Sequence, residues 1–311
     1  MVEKPPADWR AARMRRTGAR RTGTRRTGTK ARRKQKGSQA KPRSTQTKAT
    51  VFLGGGRITG ALIAGLRLAG YDGRIVVHDH NPGKLRALRR EYRIEAAGDL
   101  KSAVAQADVL IVAVRPLAVA DLLNEVARSG IIRKSILAIS LAAGIPIKKL
   151  RARLGRPVQW TRAMPSPVCR IGRGLTAVTF DRQVPKHSRE RVREFFARVG
   201  PVLELPESGL DIFTATFSPS HGYHAMATLA KAAENAGFAR GPALTSAAHA
   251  LADSIFYWRQ SGENLDALLS EASTPGGTAA ATIRAMDDAG YARAVARGLR
   301  AGVARGRKNA R

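Results

Sequence analysis

Ala49-Thr50-Val51-Phe52-Leu53-Gly54-Gly55-Gly56-Arg57-Ile58-Thr59-Gly60-Ala61-Leu62 is the stretch that decides the fold. A short apolar run ends in three consecutive glycines, and apolar residues at helical spacing follow at once. A glycine loop that follows a strand and opens a helix is the setting in which a dinucleotide fingerprint has mechanical meaning. The first glycine permits the tight turn, and the second lets the backbone approach a pyrophosphate. The helix N-terminus then offers its free N–H groups to the anion. Thr59 stands at the third position, where glycine or alanine is usual, and Gly60 follows it. Gly54, Gly55, Gly56, Arg57 and Ile58 are therefore expected to hold a dinucleotide.

The segments beyond the loop agree with it. Arg74 to Asp79 (RIVVHD) reads as a second strand, Asn81-Pro82-Gly83 as a turn, and Lys84 to Glu91 as a helix. Asp79, 23 residues past Gly56, sits where an acid would bond a ribose 2′-hydroxyl and favour NAD. Arg57, His80 and Lys84, with Asn81 beside them, could instead gather round a 2′-phosphate and favour NADP. The sequence leaves NADP or NAD open. Ala107 to Val114 is a continuous apolar strand of the kind a parallel sheet buries on both faces, and Ser135 to Ser140 repeats it. Val158 to Arg162 and Leu175 to Phe180 are two further strands. Strands alternating with helices mean βαβ units and a doubly wound parallel sheet of Rossmann type.

After about Ser208 the strand signals stop. Alanine-rich helical stretches follow at Gly222 to Ala236, Pro242 to Ser261, Leu265 to Ala272 and Thr278 to Arg305. Small side chains on every face allow close packing between helices, within one chain or between two. The expected organisation is an extension over residues 1–48, a dinucleotide-binding domain over 49–208, a helical dimerisation and substrate domain over 209–305, and a basic tail over 306–311.

Composition narrows the class. The chain has 311 residues, 43% of them apolar, which is enough for a buried core, and a net charge of +32. Residues 1–50 hold 17 Lys/Arg against two Asp/Glu, leaving 38 against 21 for the rest. That first segment carries a near-repeat, Arg15-Arg16-Thr17-Gly18, Arg20-Arg21-Thr22-Gly23 and Arg25-Arg26-Thr27-Gly28. Like charges without apolar residues cannot offset their ordering entropy, so disorder is expected there. Clustered arginine attracts phosphate, so a nucleic-acid arm is one reading; a non-functional extension is the favoured one. The tail lacks the leucines of an organellar presequence. The lone cysteine, Cys169, excludes an internal disulfide framework, and no apolar run nears the ~18 residues of a membrane span. A cytoplasmic protein with no membrane attachment is expected.

Five short matches, in order, resemble one family. Gly54 to Leu62 resembles its first glycine loop, and Ala113-Val114-Arg115-Pro116 its Ala-Val-Lys-Pro turn. Ser140-Leu141-Ala142-Ala143-Gly144 resembles the segment closing its fifth strand. Arg162-Ala163-Met164-Pro165 matches the start of its Arg-Ala-Met-Pro-Asn-Thr-Pro motif. Ser273-Thr274-Pro275-Gly276-Gly277-Thr278 is similar to its C-terminal signature. The family is pyrroline-5-carboxylate reductase. The resemblance implies a Rossmann domain, a helical dimerisation domain, and hydride transfer from NAD(P)H to a cyclic imine. It adds Ala113, Val114, Arg115 and Pro116 to the cofactor side, and Met164, Pro165, Ser166, Ser220, Pro275, Gly276 and Gly277 to the substrate side.

The departures all fall on the substrate side. The family signature continues Gly-Gly-x-Thr, and that threonine is implicated as proton donor to the imine nitrogen; here the position is Ala279. Thr278 and Thr282, the neighbouring hydroxyls, are candidate stand-ins for it, and His221 is a third candidate donor. Ser166 replaces the expected asparagine, and Phe217 to Tyr223 replaces the family's Ser-Gly-Ser-Gly-Pro-Ala-Tyr loop. His221 and His224 have no obvious third ligand, so no metal is expected. Cys169 reads as a buried apolar residue. Two alternatives stay open: a divergent member acting on another imine or keto substrate or weakened in turnover, and a nucleic-acid-associated protein that only senses NAD(P).

Overall fold

The structure, a computed structural model, describes residues 49–309. The expected extension over residues 1–48 lies outside the described residues, as do the last two residues of the basic tail.

An eight-stranded sheet forms the larger part, in the order β3-β2-β1-β4-β5-β6-β7-β8. Its strands are β1 (Ala49–Leu53), β2 (Ile75–His78), β3 (Glu95–Ala96), β4 (Ala107–Val112), β5 (Ile136–Ser140), β6 (Val158–Pro165), β7 (Thr176–Phe180) and β8 (Val202–Glu204). All pairs are parallel except β6 with β7. The first six strands have the order of a dinucleotide-binding sheet, with the chain reversing direction beside β1.

Helices cover both faces. On one side α1 (Arg57–Leu68), α2 (Pro82–Glu91) and α6 (Lys186–Ala197) bury Leu62, Leu66, Leu88 and Phe196 against Phe52, Val77 and Ile139. On the other, α3 (Leu100–Ala105), α4 (Val119–Arg128) and α5 (Ile147–Arg153) bury Leu123, Val126 and Leu150 against Val51, Leu110 and Trp160. The alternation Phe52 to one face, Val51 and Leu53 to the other, follows from the two-residue period of a strand.

The helices after the sheet are α7 (Glu207–Thr216), α8 (Pro219–Asn235), α9 (Arg240–Ser261), α10 (Leu265–Ala272), α11 (Thr278–Asp288) and α12 (Tyr291–Lys308). α7 seals the end of the sheet through Leu210, packed on Met164 and Ala177. α8 and α9 pack through Ala230, Ala243 and Ala247, small residues that let the two backbones approach.

Four local readings change. The turn expected at Asn81-Pro82-Gly83 is a helix start: the Asn81 side chain accepts from Gly83 N and Lys84 N, and Pro82 takes the first helical position. The fourth strand stops at Val112 rather than Val114. The long helix expected from Thr278 to Arg305 is two, broken where Gly290 adopts φ +84, a left-handed conformation open to glycine. Finally α7 lies across residues 208/209 and α12 runs past residue 305 to Lys308.

Candidate active site

Gly54 carries the sharpest constraint in the loop. Its N–H donates to His78 O at 2.7 Å, its φ is +108, and a Cβ there would stand 2.8 Å from Ala113 O. Only glycine fits both the turn and that approach. The contact also fixes the end of β4 beside the loop: Ala113 N donates to Leu53 O at 2.8 Å, and Val114 lies against the same glycine. Gly55 N donates to Asp79 Oδ2 at 2.8 Å. Gly56 caps α1, yet no side chain bonds the helix N-terminus, and a Cβ at Gly56 would meet nothing within 4 Å. An unsatisfied helix N-terminus beside an open cradle fits a pyrophosphate.

Thr59 shows why the fingerprint tolerates its third residue. The side chain is fully buried, and Oγ1 donates to Gly54 O at 2.6 Å, tying the helix to the first glycine. Sequence spacing gave no signal of that bond.

Asp79 lies just past the end of β2. Burial pushes its carboxyl up, but N–H groups of Asn81 and Gly55 together with the Lys84 ammonium outweigh this and hold it below the ordinary carboxylate value. Asn81 N donates to Oδ1 at 2.8 Å and Lys84 Nζ reaches Oδ2 at 3.2 Å. Arg57, His80 and Arg115 are exposed around the same mouth. The cofactor-side residues are thus gathered at the C-terminal ends of β1, β2 and β4, with Pro116 opening a short 3₁₀ turn that leads into α4.

The substrate-side residues form two groups. Met164 and Pro165 end β6, just past the pairing of Arg162 with Ser140 of β5, and Ser166 follows as the cap of a 3₁₀ turn. Met164 is buried beneath α7, and Ser166 is buried with Oγ accepting from Val168 N at 3.2 Å, so both side chains serve local packing and capping. The second group lies on the helices. Gly277 caps α11 without a side-chain bond, and Gly276 has φ +80. Pro275, Gly276, Thr278 and Ala279 are exposed, so one chain does not enclose them. Thr282 Oγ1 donates to Thr278 O at 2.9 Å, which commits its proton to the helix backbone. His221 Nε2 lies 2.6 Å from Ala215 O, and the Ser218 and Ser220 hydroxyls bond each other at 2.7 Å. Cys169 is buried, and burial pushes its thiol up to about 12, which makes it inert as a nucleophile.

Among the described residues no group of three or more His, Cys, Asp and Glu could hold a metal, and no helix is long and apolar enough to cross a membrane. Sequence reasoning also missed Arg162, whose guanidinium is buried and paired with Glu207 and Asp211 of α7.

Two family models match the chain. "NADP oxidoreductase coenzyme F420-dependent" covers residues 49–144, and "Pyrroline-5-carboxylate reductase dimerisation" covers residues 207–309. The pyrroline-5-carboxylate reductase of Corynebacterium melassecola is 31% identical over 246 residues, spanning 76% of this chain and 90% of that protein. The Escherichia coli enzyme of the same name is 29% identical over 248 residues, spanning 78% and 91%. The Plasmodium falciparum pyrroline carboxylate reductase, solved with NADP bound, superposes with a TM-score of 0.75 at 19% identity, covering 85% of this chain and 98% of that one. The glycine loop, the sheet order and the helical region thus meet in one set of relatives, matched over nearly their whole length: the chain belongs to the pyrroline-5-carboxylate reductase family.

Proposed function

We propose that this chain moves a hydride from NAD(P)H to the C=N carbon of 1-pyrroline-5-carboxylate, giving L-proline. One observation carries the reading: the open helix N-terminus at Gly56, flanked by Gly54 and Asp79, occurs in a chain that matches these reductases over most of their length. The dinucleotide supplies the hydride when bound, so the protein's task is positioning and electrostatics. Gly54, Gly55, Gly56, Arg57 and Ile58 would hold the pyrophosphate. Asp79, His80 and Asn81 would flank the adenine ribose, and Ala113 to Pro116 would line the reactive half.

For the substrate, Pro275, Gly276 and Gly277 would seat the carboxylate against the N-terminus of α11, whose first N–H groups have no side-chain cap. Pro165 and Ser220 would complete the substrate side, with the buried Met164 and Ser166 supporting it from beneath. Reduction places the hydride on carbon and a proton on nitrogen. Ala279 has no proton to give, and Thr282 spends its own on Thr278 O. Thr278 is then the nearest hydroxyl to the family position, with His221 second. An iminium that arrives already protonated needs neither, and a missing general acid lowers rate by roughly 10²–10⁴-fold without removing hydride transfer.

The working division is residues 49–208 for the dinucleotide and 209–305 for the helices, with 306–311 as a tail. The matched dimerisation region supports a homo-oligomer joined through those helices. A cytoplasmic enzyme without membrane or nucleic-acid partners fits this role. A second reading rests on Ala279 and Ser166: a member whose pocket is rebuilt for another imine or keto substrate. Complementation of a proline auxotroph by a chain beginning at Lys48 tests both. Growth without proline supports the first reading; no growth, with soluble protein that binds NADPH, favours the second.

A further inference from the structure

Arg162 opens the Arg-Ala-Met-Pro segment, and its side chain is 2% exposed. Nη1 donates to Glu207 Oε1 at 3.0 Å, and Nη2 lies 3.7 Å from Asp211 Oδ1. The two acids are one helical turn apart at the start of α7, on the same face. Glu207 Oε1 accepts a second bond, from Ile147 N at 2.7 Å, at the first residue of α5. One carboxylate therefore joins β6, α5 and α7. Arg162 Nε and Nη2 are buried without a hydrogen-bond partner.

A buried cation with idle donors is a poor device for stability alone, because apolar residues of similar volume do as well or better. Its distinctive property is direction, since a planar guanidinium holds carboxylates at fixed angles. The neighbourhood is built to receive a fixed α7. Met164, two residues past Arg162, packs under Leu210. α12 lies on α7, where Gly302 meets Ala215, and its end presses the Gly306 carbonyl onto Gly144 while Asn309 Nδ2 donates to Ala143 O at 3.2 Å. α7 is also the segment through which the chain leaves the sheet for the helices that carry Pro275 to Thr278.

We infer that Arg162 is a positioning residue: through Glu207 and Asp211 it sets the angle at which the helical region leaves the sheet. It thereby places the Pro275–Thr278 seat relative to the glycine loop in the assembled enzyme. The catalytic consequence rests on the reductase reading given above.

The test uses full-length Arg162→Met, Arg162→Lys and Glu207→Gln, the last keeping an acceptor for Ile147 N while removing the charge. NADPH affinity by fluorescence titration should stay within twofold of wild type in all three. Arg162→Met should lower kcat/KM for pyrroline-5-carboxylate at least tenfold with KM raised; Arg162→Lys, which keeps the charge but not the planar fork, should recover only part of it and stay several-fold below wild type, and Glu207→Gln should fall between Arg162→Met and wild type. If kcat/KM per folded molecule stays within twofold of wild type despite a lower Tm, the inference is overturned and Arg162 only stabilises. Should Arg162→Met not fold, the other two variants decide by the same criterion. An inactive wild type would refute the substrate reading instead. A second readout then decides positioning: spin labels at Lys101→Cys and Glu263→Cys, diluted with unlabelled chain. A distance distribution broadened by Arg162→Met, and to a smaller extent by Arg162→Lys, supports the inference, and one unchanged in both overturns it.

Discussion

Gly56 and Ala279 are the two residues on which the chemistry can be tested most directly. Gly56 has no neighbour within 4 Å of an added Cβ, so a side chain there would project into the space an anion needs without disturbing the fold. Gly56→Val should therefore abolish NADPH binding by calorimetry while the far-UV spectrum and Tm stay near wild type; affinity within twofold of wild type would disprove the loop assignment. Ala279→Thr costs only a few tenths of a kcal/mol in helix propensity and restores a hydroxyl at the family's donor position. If the site is built as in its relatives, turnover of pyrroline-5-carboxylate should rise, within the 10²–10⁴ range of a general acid, with KM little changed. A fall from a robust wild-type rate would show that Thr278 or water already protonates the nitrogen and that Ala279 makes room. Asp79 gives the pH dependence. Its carboxyl is held below the ordinary value, so the ionised form stabilises the folded loop; that contribution is complete above the usual carboxylate range and is lost as pH falls through the lowered value. Asp79→Asn should flatten the acid limb of a Tm-against-pH curve, and an unaltered limb would assign it to other carboxylates. At this scale the sequence disclosed the glycines and Asp79 because spacing from a strand end locates them. It could not disclose Thr59 or Arg162, whose roles depend on partners five and 45 residues away that only the fold brings close.

The elements divide in the same way. Long apolar runs such as Ala107–Val112 and Ile136–Ser140 were legible because a strand buried on both faces has no polar alternation to confuse it. β3 and β8, of two and three residues at the sheet's edges, carry too little pattern to read. The break between α11 and α12 was hidden because helical spacing continues across Gly290, although a glycine after Asp287-Asp288-Ala289 is a C-cap signal. Gly144 joins two such elements. It has φ +77, and an added Cβ would overlap the Gly306 carbonyl of α12. Gly144→Ala should cost about 1–2 kcal/mol in backbone strain and also push the end of α12 off the sheet, so trypsin should cut after Arg305, Arg307 and Lys308 faster than in wild type. Gly130→Ala is the control: φ is +60 but nothing lies within 4 Å, so it should lower Tm with the wild-type tryptic pattern. Equal proteolysis in both variants would mean that α12 is not seated there.

As a whole, the chain is two kinds of surface. The sheet domain buries most of its large apolar side chains, from Phe52 through Trp160 to Phe196, and exposes only scattered ones such as Leu117, whereas α9 and α10 leave Phe256, Tyr257, Trp258, Leu265 and Leu269 together between 40% and 61% exposed. Apolar exposure on that scale marks a surface meant to be covered, and the matched dimerisation region spans it. The proposed dinucleotide cradle draws, among the described residues, on the ends of β1, β2 and β4 and the starts of α1 and α2 of one chain. The proposed substrate seat at Pro275 to Thr278 is exposed in one chain, so a covering copy would be what excludes water from it. Binding of cofactor and turnover should then separate when association is broken. Phe256→Asp combined with Leu269→Asp should shift sedimentation toward the monomer, leave NADPH affinity within a few-fold of wild type, and lower kcat more than tenfold. Removing residues 1–47 should change none of the three, because β1 begins at Ala49 and the glycine loop follows it. A monomeric double variant with wild-type kcat would show that each chain closes its own substrate seat. Loss of NADPH binding in the same variant would show that the cradle, too, is finished only by the second copy.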